Sequence, residues 1–322
     1  MRLDRLENQA LAVIRSVADR RIAVSFSGGK DSLVVLDLAI RAGIEDVVYC
    51  DTTMAYEGEL DYVKFVEKFY GVRINVVSAP ISFFDALKVI GPPSRRARWC
   101  CKVFKFAPLD YYAITRGIEG FLRGVRRDES LNRLVYSYPC SYVTRNPYTR
   151  TPQINPILNW SSEDVWAYIR KYSLPVNPLY ELGFKRVGCW PCPFKSKREW
   201  ELTRRYFPWL LEKLRDMLIE YAEKIGISDV KMFVDEYGWT AWTAPQDKVY
   251  VGVLRRESND HLKLELRDQR YVDRVIELLP MISREYEIRE QSIRIFTHNS
   301  ARKVRVLAEK AINCIGCGAC LI

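Results

Sequence analysis

Residues 24–32 read Val24-Ser25-Phe26-Ser27-Gly28-Gly29-Lys30-Asp31-Ser32. The apolar run from Ile22 to Phe26 predicts a buried strand. Two glycines follow, then the apolar stripe of a helix through Leu33, Leu36, Leu38 and Ile40. Strand, glycine turn and helix N-terminus make an anion-binding geometry, because free backbone N–H groups and the helix dipole both favour a phosphate. Lys30 adds a mobile positive charge, and Ser27 and Ser32 add hydroxyl donors. Asp31 is a candidate metal ligand or helix cap. The G-x-x-x-x-G-K-[ST] spacing of a Walker A loop is absent.

Outward from this stretch, strands and helices alternate. Apolar positions Leu3, Leu6, Ala10, Leu11, Ile14 and Val17 predict a first helix, and Val47 to Asp51 a second strand. Residues 58–70 predict a helix stopped by Gly71, and Arg73 to Val77 a third strand. Such alternation gives an α/β class with a mostly parallel, doubly wound sheet. Ligands of such sheets sit at the carboxyl ends of the strands. Ser27 to Asp31 and the pair Asp51-Thr52 both fall on that edge. A helix capped by Ser161 or Ser162 is expected over Ser162 to Tyr172. Residues 197–240 are helical, with aromatics expected in the core. From about 246, strands at 249–254, 262–266 and 293–297 and helices at 272–279 and 300–311 predict a small α+β module. The expected division is 1–200, a phosphate-binding domain; 201–245, a helical connection; and 246–322, the α+β module with a cysteine-rich tail.

The chain has 322 residues, 48% hydrophobic and 28% charged, which suits a large soluble core. No apolar run approaches the ~18–20 residues of a membrane span, and the charged start Met1-Arg2-Leu3-Asp4-Arg5-Leu6-Glu7 does not read as a secretion signal. The expectation is cytoplasmic, with no membrane partner. A net charge of +10 suits a polyanionic partner, either a nucleotide or RNA.

Nine cysteines are many for a cytosolic chain, and seven fall in groups: Cys100-Cys101, Cys189-x-x-Cys192 and Cys314-x-x-Cys317-x-x-Cys320. In a reducing compartment such grouping reads as metal or redox chemistry. Cys50 and Cys140 stand alone and read as incidental thiols. Two pairs of thiolates suit zinc or an iron–sulfur cluster. Adjacent ligands strain a tetrahedral zinc site, which favours the cluster and keeps zinc as the alternative. Residues 120–133 carry Arg123, Arg126, Arg127 and Arg133 around a turn marked by Gly124 and Ser130. Arginine clamps sulfate or phosphate through paired hydrogen bonds.

The loop resembles the PP-loop, S-G-G-x-D-S, of enzymes that split ATP between its α- and β-phosphates. Arg98-Trp99-Cys100-Cys101, Gly124-Val125-Arg126-Arg127-Asp128-Glu129-Ser130, Asn155-Pro156-Ile157 and Leu174-Pro175-x-Asn177-Pro178-Leu179-Tyr180 are similar to the phosphoadenylylsulfate (PAPS) and adenylylsulfate reductases of that superfamily. The likeness covers roughly residues 20–195 and implies a PP-loop, adenine nucleotide alpha hydrolase-like fold. It implies nucleotide binding by Ser25, Ser27, Gly28, Gly29, Lys30, Asp31, Ser32, Asp51 and Thr52. Arg123, Arg126, Arg127 and Arg133 would face the sulfate or 3′-phosphate. Cys100, Cys101, Cys189 and Cys192 match the [4Fe–4S] pattern of assimilatory adenylylsulfate reductases.

Two departures keep the reaction open. The E-C-G-L-H-like tail of those reductases is absent, and C-x-x-C-x-x-C resembles half a ferredoxin motif without its usual fourth ligand. Cys314, Cys317 or Cys320 is then the candidate nucleophile, its pKa lowered by the basic helix before it. The loop is also complete, where sulfonucleotide reductases usually carry an eroded one. The first reading is a reductase that converts adenylylsulfate or PAPS to sulfite, served by a thioredoxin- or ferredoxin-like electron donor. The second is an ATP-dependent sulfurtransferase or adenylating enzyme, with Mg²⁺, Lys30 on the phosphates and tRNA as a partner. The third is a nucleotide- and cluster-binding redox module. Self-association into a homo-oligomer is left open.

Overall fold

The computed structural model describes residues 2–95, 97–129, 143–145, 151–241, 252–258, 260–266, 269, 272–273, 275–276, 279–283, 285–297 and 301–312. Arg133, Cys140, Cys314, Cys317 and Cys320 lie outside the described residues.

The first body is built on a six-stranded sheet. Its strands are β1 (Ile22–Phe26), β2 (Val47–Asp51), β3 (Ile74–Ser78), β4 (Gly120–Leu122), β5 (Val143–Arg145) and β6 (Pro152–Ile154), in the order β3-β2-β1-β4-β6-β5. β3, β2, β1, β4 and β6 run parallel, and β5 is antiparallel to β6 at the edge. Ile22, Ala23 and Val24 of β1 are buried, as a strand covered on both faces requires.

On one face lie α1 (Arg2–Arg15), α2 (Lys30–Arg41), α3 (Glu59–Tyr70) and a helix over Ser162–Tyr172, whose apolar residues share one core with Val24, Phe26 and Val47. Gly71 ends α3 in the left-handed conformation that only glycine adopts freely. The other face is covered by the helix Ala107–Arg116, through Leu109, Tyr112 and Ala113 against Ala23, Val48 and Phe121. A short turn, Trp99–Cys101, and a π-helical turn, Lys102–Phe106, lead into that helix. π-Turns of this kind cluster at functional sites.

A second core caps the carboxyl edge of the sheet. Phe83 and Leu87 of α4 (Phe83–Ile90), with Phe104 and Trp190, pack against Trp200, Phe207, Leu214 and Trp239. These last come from helices Lys197–Tyr206 and Pro208–Lys224, from Phe207 between them, and from the turn Gly238–Thr240. Most of the aromatics expected in this core are there; Trp209 is the exception, 49% exposed.

The α+β module has an antiparallel sheet of β7 (Gly252–Arg256), β8 (His261–Leu266), β10 (Ser292–Phe296) and β9 (Glu285–Arg289), in that order. Alternate residues Leu262, Leu264 and Leu266 face a core completed by Val304, Leu307 and Ala308 of the helix Ala301–Ile312. This is the pattern of a sheet covered on one side.

The order β3-β2-β1-β4 reverses direction at β1. Ligand crevices of open α/β sheets lie at that switch, outside the carboxyl ends of the strands. The loops after β1 and β4 therefore meet where Ser27–Lys30 and Arg123–Arg126 lie.

The helix Ser162–Tyr172 opens on a full capping box: Ser161 Oγ accepts from Asp164 N at 3.1 Å, and Asp164 Oδ2 accepts from Ser161 N at 2.8 Å. Ser161→Ala is expected to lower unfolding stability by about 1 kcal/mol, with Ser161→Asp recovering most of it, measured by urea denaturation.

Candidate nucleotide and sulfur site

The loop after β1 turns at Gly28, whose φ of +75° lies in the left-handed region. Gly29 is the extended N-cap of α2, and no side chain caps that helix. The first amides of α2 have no intrahelical acceptor and point out of its end, which is the feature that holds an anion. The serines brace the loop from within. Ser32 Oγ donates to Gly29 O at 2.8 Å and accepts from Ser27 N at 3.1 Å, and Ser27 Oγ lies 3.1 Å from it. Tyr180, from the N-P-L-Y motif, accepts from Lys30 N at 2.9 Å. Ser25 lies within β1, opposite Val48.

Two expectations for this loop change. Lys30 is not a mobile charge: its side chain is 7% exposed, and Nζ donates to Asp31 Oδ2 at 2.7 Å. Asp31 does not cap α2, since the cap is Gly29. Its carboxylate is held between Lys30 and the Nε of Arg126.

The Arg-rich turn after β4 sits directly on this loop. A Cβ on Gly124 would stand 2.5 Å from both Asp31 C and Ser32 N, so only glycine fits. Arg126, 4% exposed, spans Asp31 and Asp128, and Asp128 accepts from Ser162 N at 3.1 Å. Arg126 is therefore a strut rather than an open anion clamp. Arg123 is half-buried, near Cys50 and Lys105. Arg127, also half-buried, donates its backbone N–H to Leu158 O at 2.9 Å.

β2 delivers Asp51 and Thr52 to the same edge. Asp51 Oδ1 accepts from Thr53 N at 2.8 Å, holding a turn in which Thr53 has a φ of +57°. Thr52 Oγ1 lies 3.3 Å from Cys189 Sγ.

The four grouped cysteines are half-buried and free of disulfides. They face one another from the Trp99–Cys101 turn and the Cys189–Cys192 loop, close enough for each pair to feel the other's charge. Cys101 is pulled below the usual thiol range by a hydrogen bond from Cys100, and by Arg98 and Lys105 against the cost of burial. Arg98 Nη2 lies 3.6 Å from its sulfur. Burial pushes Cys189 up to about 11, with Thr52 opposing, and Cys50 up to about 12. Lys105 is open to solvent yet set deep among protein atoms. That crowding, with Arg123, lowers its pKa, while Cys101, Cys189 and Cys50 oppose the change.

Among the described residues no three His, Cys, Asp or Glu side chains stand at metal-holding spacing. The donor set itself, four thiols without a carboxylate and with Arg98 and Lys105 as counter-cations, fits a negatively charged cluster in its chemistry.

Two residues at this edge escape the sequence patterns. Glu59 opens α3 and is 6% exposed, where a first-turn carboxylate reads only as a complement to the helix dipole. Lys195 is 9% exposed. It donates to Thr203 Oγ1 at 2.8 Å and to Tyr56 OH, over the rings of Tyr56, Phe184 and Trp200. Burial lowers it to about 8. A single lysine after C-P-F carries no spacing signal that would mark it as buried.

A complete glycine loop at the switch point of a parallel sheet, with a basic turn seated on it, defines a PP-loop α/β protein. The phosphoadenosine phosphosulfate reductase domain matches residues 21–195, and the chain belongs to that family. It is 37% identical over 236 residues to an uncharacterised protein of Methanocaldococcus jannaschii, covering 70% of this chain and 48% of that one. A second protein of that organism is 33% identical over 233 residues, covering 69% and 54%. The chain thus spans about half the length of these two relatives. It is 27% identical over 175 residues to the adenosine 5′-phosphosulfate reductase of Geobacillus thermodenitrificans, covering 53% of this chain and 72% of that one. The phosphate complex of the PAPS reductase of Candida auris superposes with a TM-score of 0.47 at 22% identity, covering 58% of this chain and 94% of that one. Among the described residues no helix is long and apolar enough to cross a membrane.

Gly124→Ala is expected to cost about 1–3 kcal/mol of stability, because the added methyl meets backbone that cannot yield. Gly188→Ala, with nothing within 4 Å of its Cβ position, should change stability by less than about 0.5 kcal/mol. Equal denaturation midpoints for the two variants would contradict the close approach.

Proposed function

We propose that the protein is a sulfonucleotide reductase that converts adenylylsulfate or PAPS to sulfite in the cytoplasm. The observation that carries this reading is the meeting of the loop, the cations Arg123 and Lys105, and four thiols at one edge of the sheet. The loop amides would hold the nucleotide's 5′-phosphate. Lys105, open to solvent, and the half-buried Arg123 would face the sulfate, where two neighbouring cations attract an anion. Arg126 and Arg127 support the turn that presents Arg123.

The reaction then needs a nucleophile. A thiolate of Cys314, Cys317 or Cys320 attacks the sulfate sulfur, forming an S–S bond as the bond from sulfur to the phosphate oxygen breaks. AMP, or its 3′-phosphate, leaves with that electron pair, stabilised by the loop amides. A second thiol attacks the resulting thiosulfonate, a disulfide forms, and sulfite departs. Two electrons from a thioredoxin- or ferredoxin-like donor restore the thiols. Cys100, Cys101, Cys189 and Cys192 would hold a [4Fe–4S] cluster, with zinc as the alternative. Such a cluster, when bound, supplies one-electron chemistry and ties the two cysteine segments together.

One observation favours a second reading. All residues of Ser27-Gly28-Gly29-Lys30-Asp31-Ser32 are present, as an ATP-cleaving enzyme needs. That enzyme would adenylate a carbonyl, in tRNA or another acceptor, releasing pyrophosphate with Mg²⁺ on the phosphates.

Anaerobically purified protein, supplied with dithiol reductant, is expected to form sulfite from adenylylsulfate or PAPS without consuming ATP. Pyrophosphate release from ATP, with no sulfite formed, would sink the first reading and select the second. Arg123→Ala and Lys105→Ala should each lower kcat/KM for the sulfonucleotide by about 10²–10³-fold. Cys100→Ser and Cys189→Ser should each remove most of the bound iron; unchanged iron content would rule out the cluster.

A further inference from the structure

Glu59 is a buried carboxyl placed beneath the phosphate loop. A Cβ built on Gly28 would stand 3.0 Å from its Oε1 and 3.8 Å from Nδ2 of Asn177. Oε1 accepts from Tyr49 OH at 3.0 Å. Oε2 is shielded from solvent and has no hydrogen-bond partner, and the same holds for Asn177 Nδ2. No Lys, Arg or His forms an ion pair with Glu59 among the described residues. Asp31 and Asp164, by contrast, each carry a cation. An uncompensated negative charge directly under an anion site is unfavourable twice over, once for its burial and once for its repulsion of the ligand.

We propose that Glu59 is the proton-linked group of the loop: an anion seated on the loop amides is bound together with a proton taken up by the Glu59 carboxyl. This rests on the reading of the loop as the nucleotide site and adds to it the protonation state in which that site is closed over its ligand.

Burial opposes the charged form of Glu59, against hydrogen bonds from the Tyr49 hydroxyl and the Tyr56 backbone N–H that favour it. From β2, Tyr49 donates to the carboxylate and stabilises it, while Asp51 adds negative charge. Tyr56 in the preceding turn and Tyr62 on α3 are neutral phenols, both pushed up by burial and by Glu59 itself. On the loop side, the uncharged Asn177 and Val187 stand beside Gly28 with Glu59. Burial dominates, so that Glu59 titrates at about 7 in the free protein. A bound anion raises that value further. Affinity is then constant at low pH, falls by up to about tenfold per pH unit from about 7 upward, and levels off above the bound-state value.

Adenylylsulfate is the probe for the test, because neither of its acidic groups titrates near neutrality. Its binding is measured by calorimetry without reductant, from about pH 6 to about pH 9, in buffers of different ionisation enthalpy, which reports protons taken up. The wild type is expected to take up a proton fraction that peaks above about pH 7, with the corresponding loss of affinity. Glu59→Gln should bind with neither the uptake nor the pH slope. Tyr49→Phe removes the bond that favours the carboxylate, so it should move the loss of affinity to higher pH, and it serves as well if Glu59→Gln fails to fold. Uptake that persists in Glu59→Gln, or Tyr49→Phe binding on an unshifted pH curve, overturns the proposal. Tight binding by the wild type without uptake overturns it while leaving the nucleotide reading intact. No binding of adenylylsulfate or ATP at any pH removes that reading and the proposal together.

Discussion

The backbone of Gly124 lies on the first turn of α2, and the rest of the site depends on that approach. A Cβ there would fall 2.5 Å from two backbone atoms of the turn. The loops after β1 and after β4 are therefore fixed against each other without intervening side chains. Arg126 fills the space beside them, and a guanidinium this deeply buried needs carboxylates on its donors. Asp31 and Asp128 supply them. Asp128 passes the constraint on by accepting the N–H of Ser162 at the start of the next helix. Removing either carboxylate would leave the buried guanidinium with one close partner instead of two, which costs more than losing a surface pair.

Around this fixed centre the edge of the sheet sorts its thiols by environment. Cys50 and Cys189 are held protonated by burial, whereas Cys101 is drawn toward the thiolate by Cys100, Arg98 and Lys105. Metal or cluster ligands must be thiolates, so loading such a group releases protons in proportion to the thiols still holding them. Cys189 is in contact with Thr52, which follows β2, the strand that also carries Asp51. The carboxyl edge of the sheet and the cysteine loop are thus in contact, though far apart in sequence.

Much of this was legible in the sequence. The hydrophobic runs of β1 and β2, the glycine after α3 and the serine cap before Ser162 each act locally, and each element formed where its pattern placed it. The strand expected at 262–266 in the α+β module formed as part of β8. What could not be read was which charges are spent inside the fold. Lys30 and Arg126 look like ligand-binding cations in any list of motifs, and their pairing through Asp31 joins residues 95 apart in sequence. Glu59 and Lys195 were missed for the same reason. Burial of a single polar residue is decided by long-range packing, here of β2 and the N-P-L-Y turn against one and of the aromatic core against the other.

That distinction bears on the loop itself. A complete Ser-Gly-Gly-Lys-Asp-Ser sequence argues for ATP cleavage only if Lys30 is free to follow the outer phosphates. Its ammonium is buried and bonded to Asp31, which is itself bonded to the strut Arg126. Moving Lys30 onto a ligand would leave Asp31 sharing one cation instead of two and would draw a buried charge across the loop. The amides of Gly29 and Asp31 at the end of α2 need no such movement, the Lys30 amide being held by the Tyr180 hydroxyl, and a phosphate on a helix N-terminus is satisfied by amides alone. The completeness of the motif therefore does not by itself oppose a sulfonucleotide at this site. The residues that make the loop look like an ATP-cleaving one also build the contact between β1 and β4, which either chemistry requires.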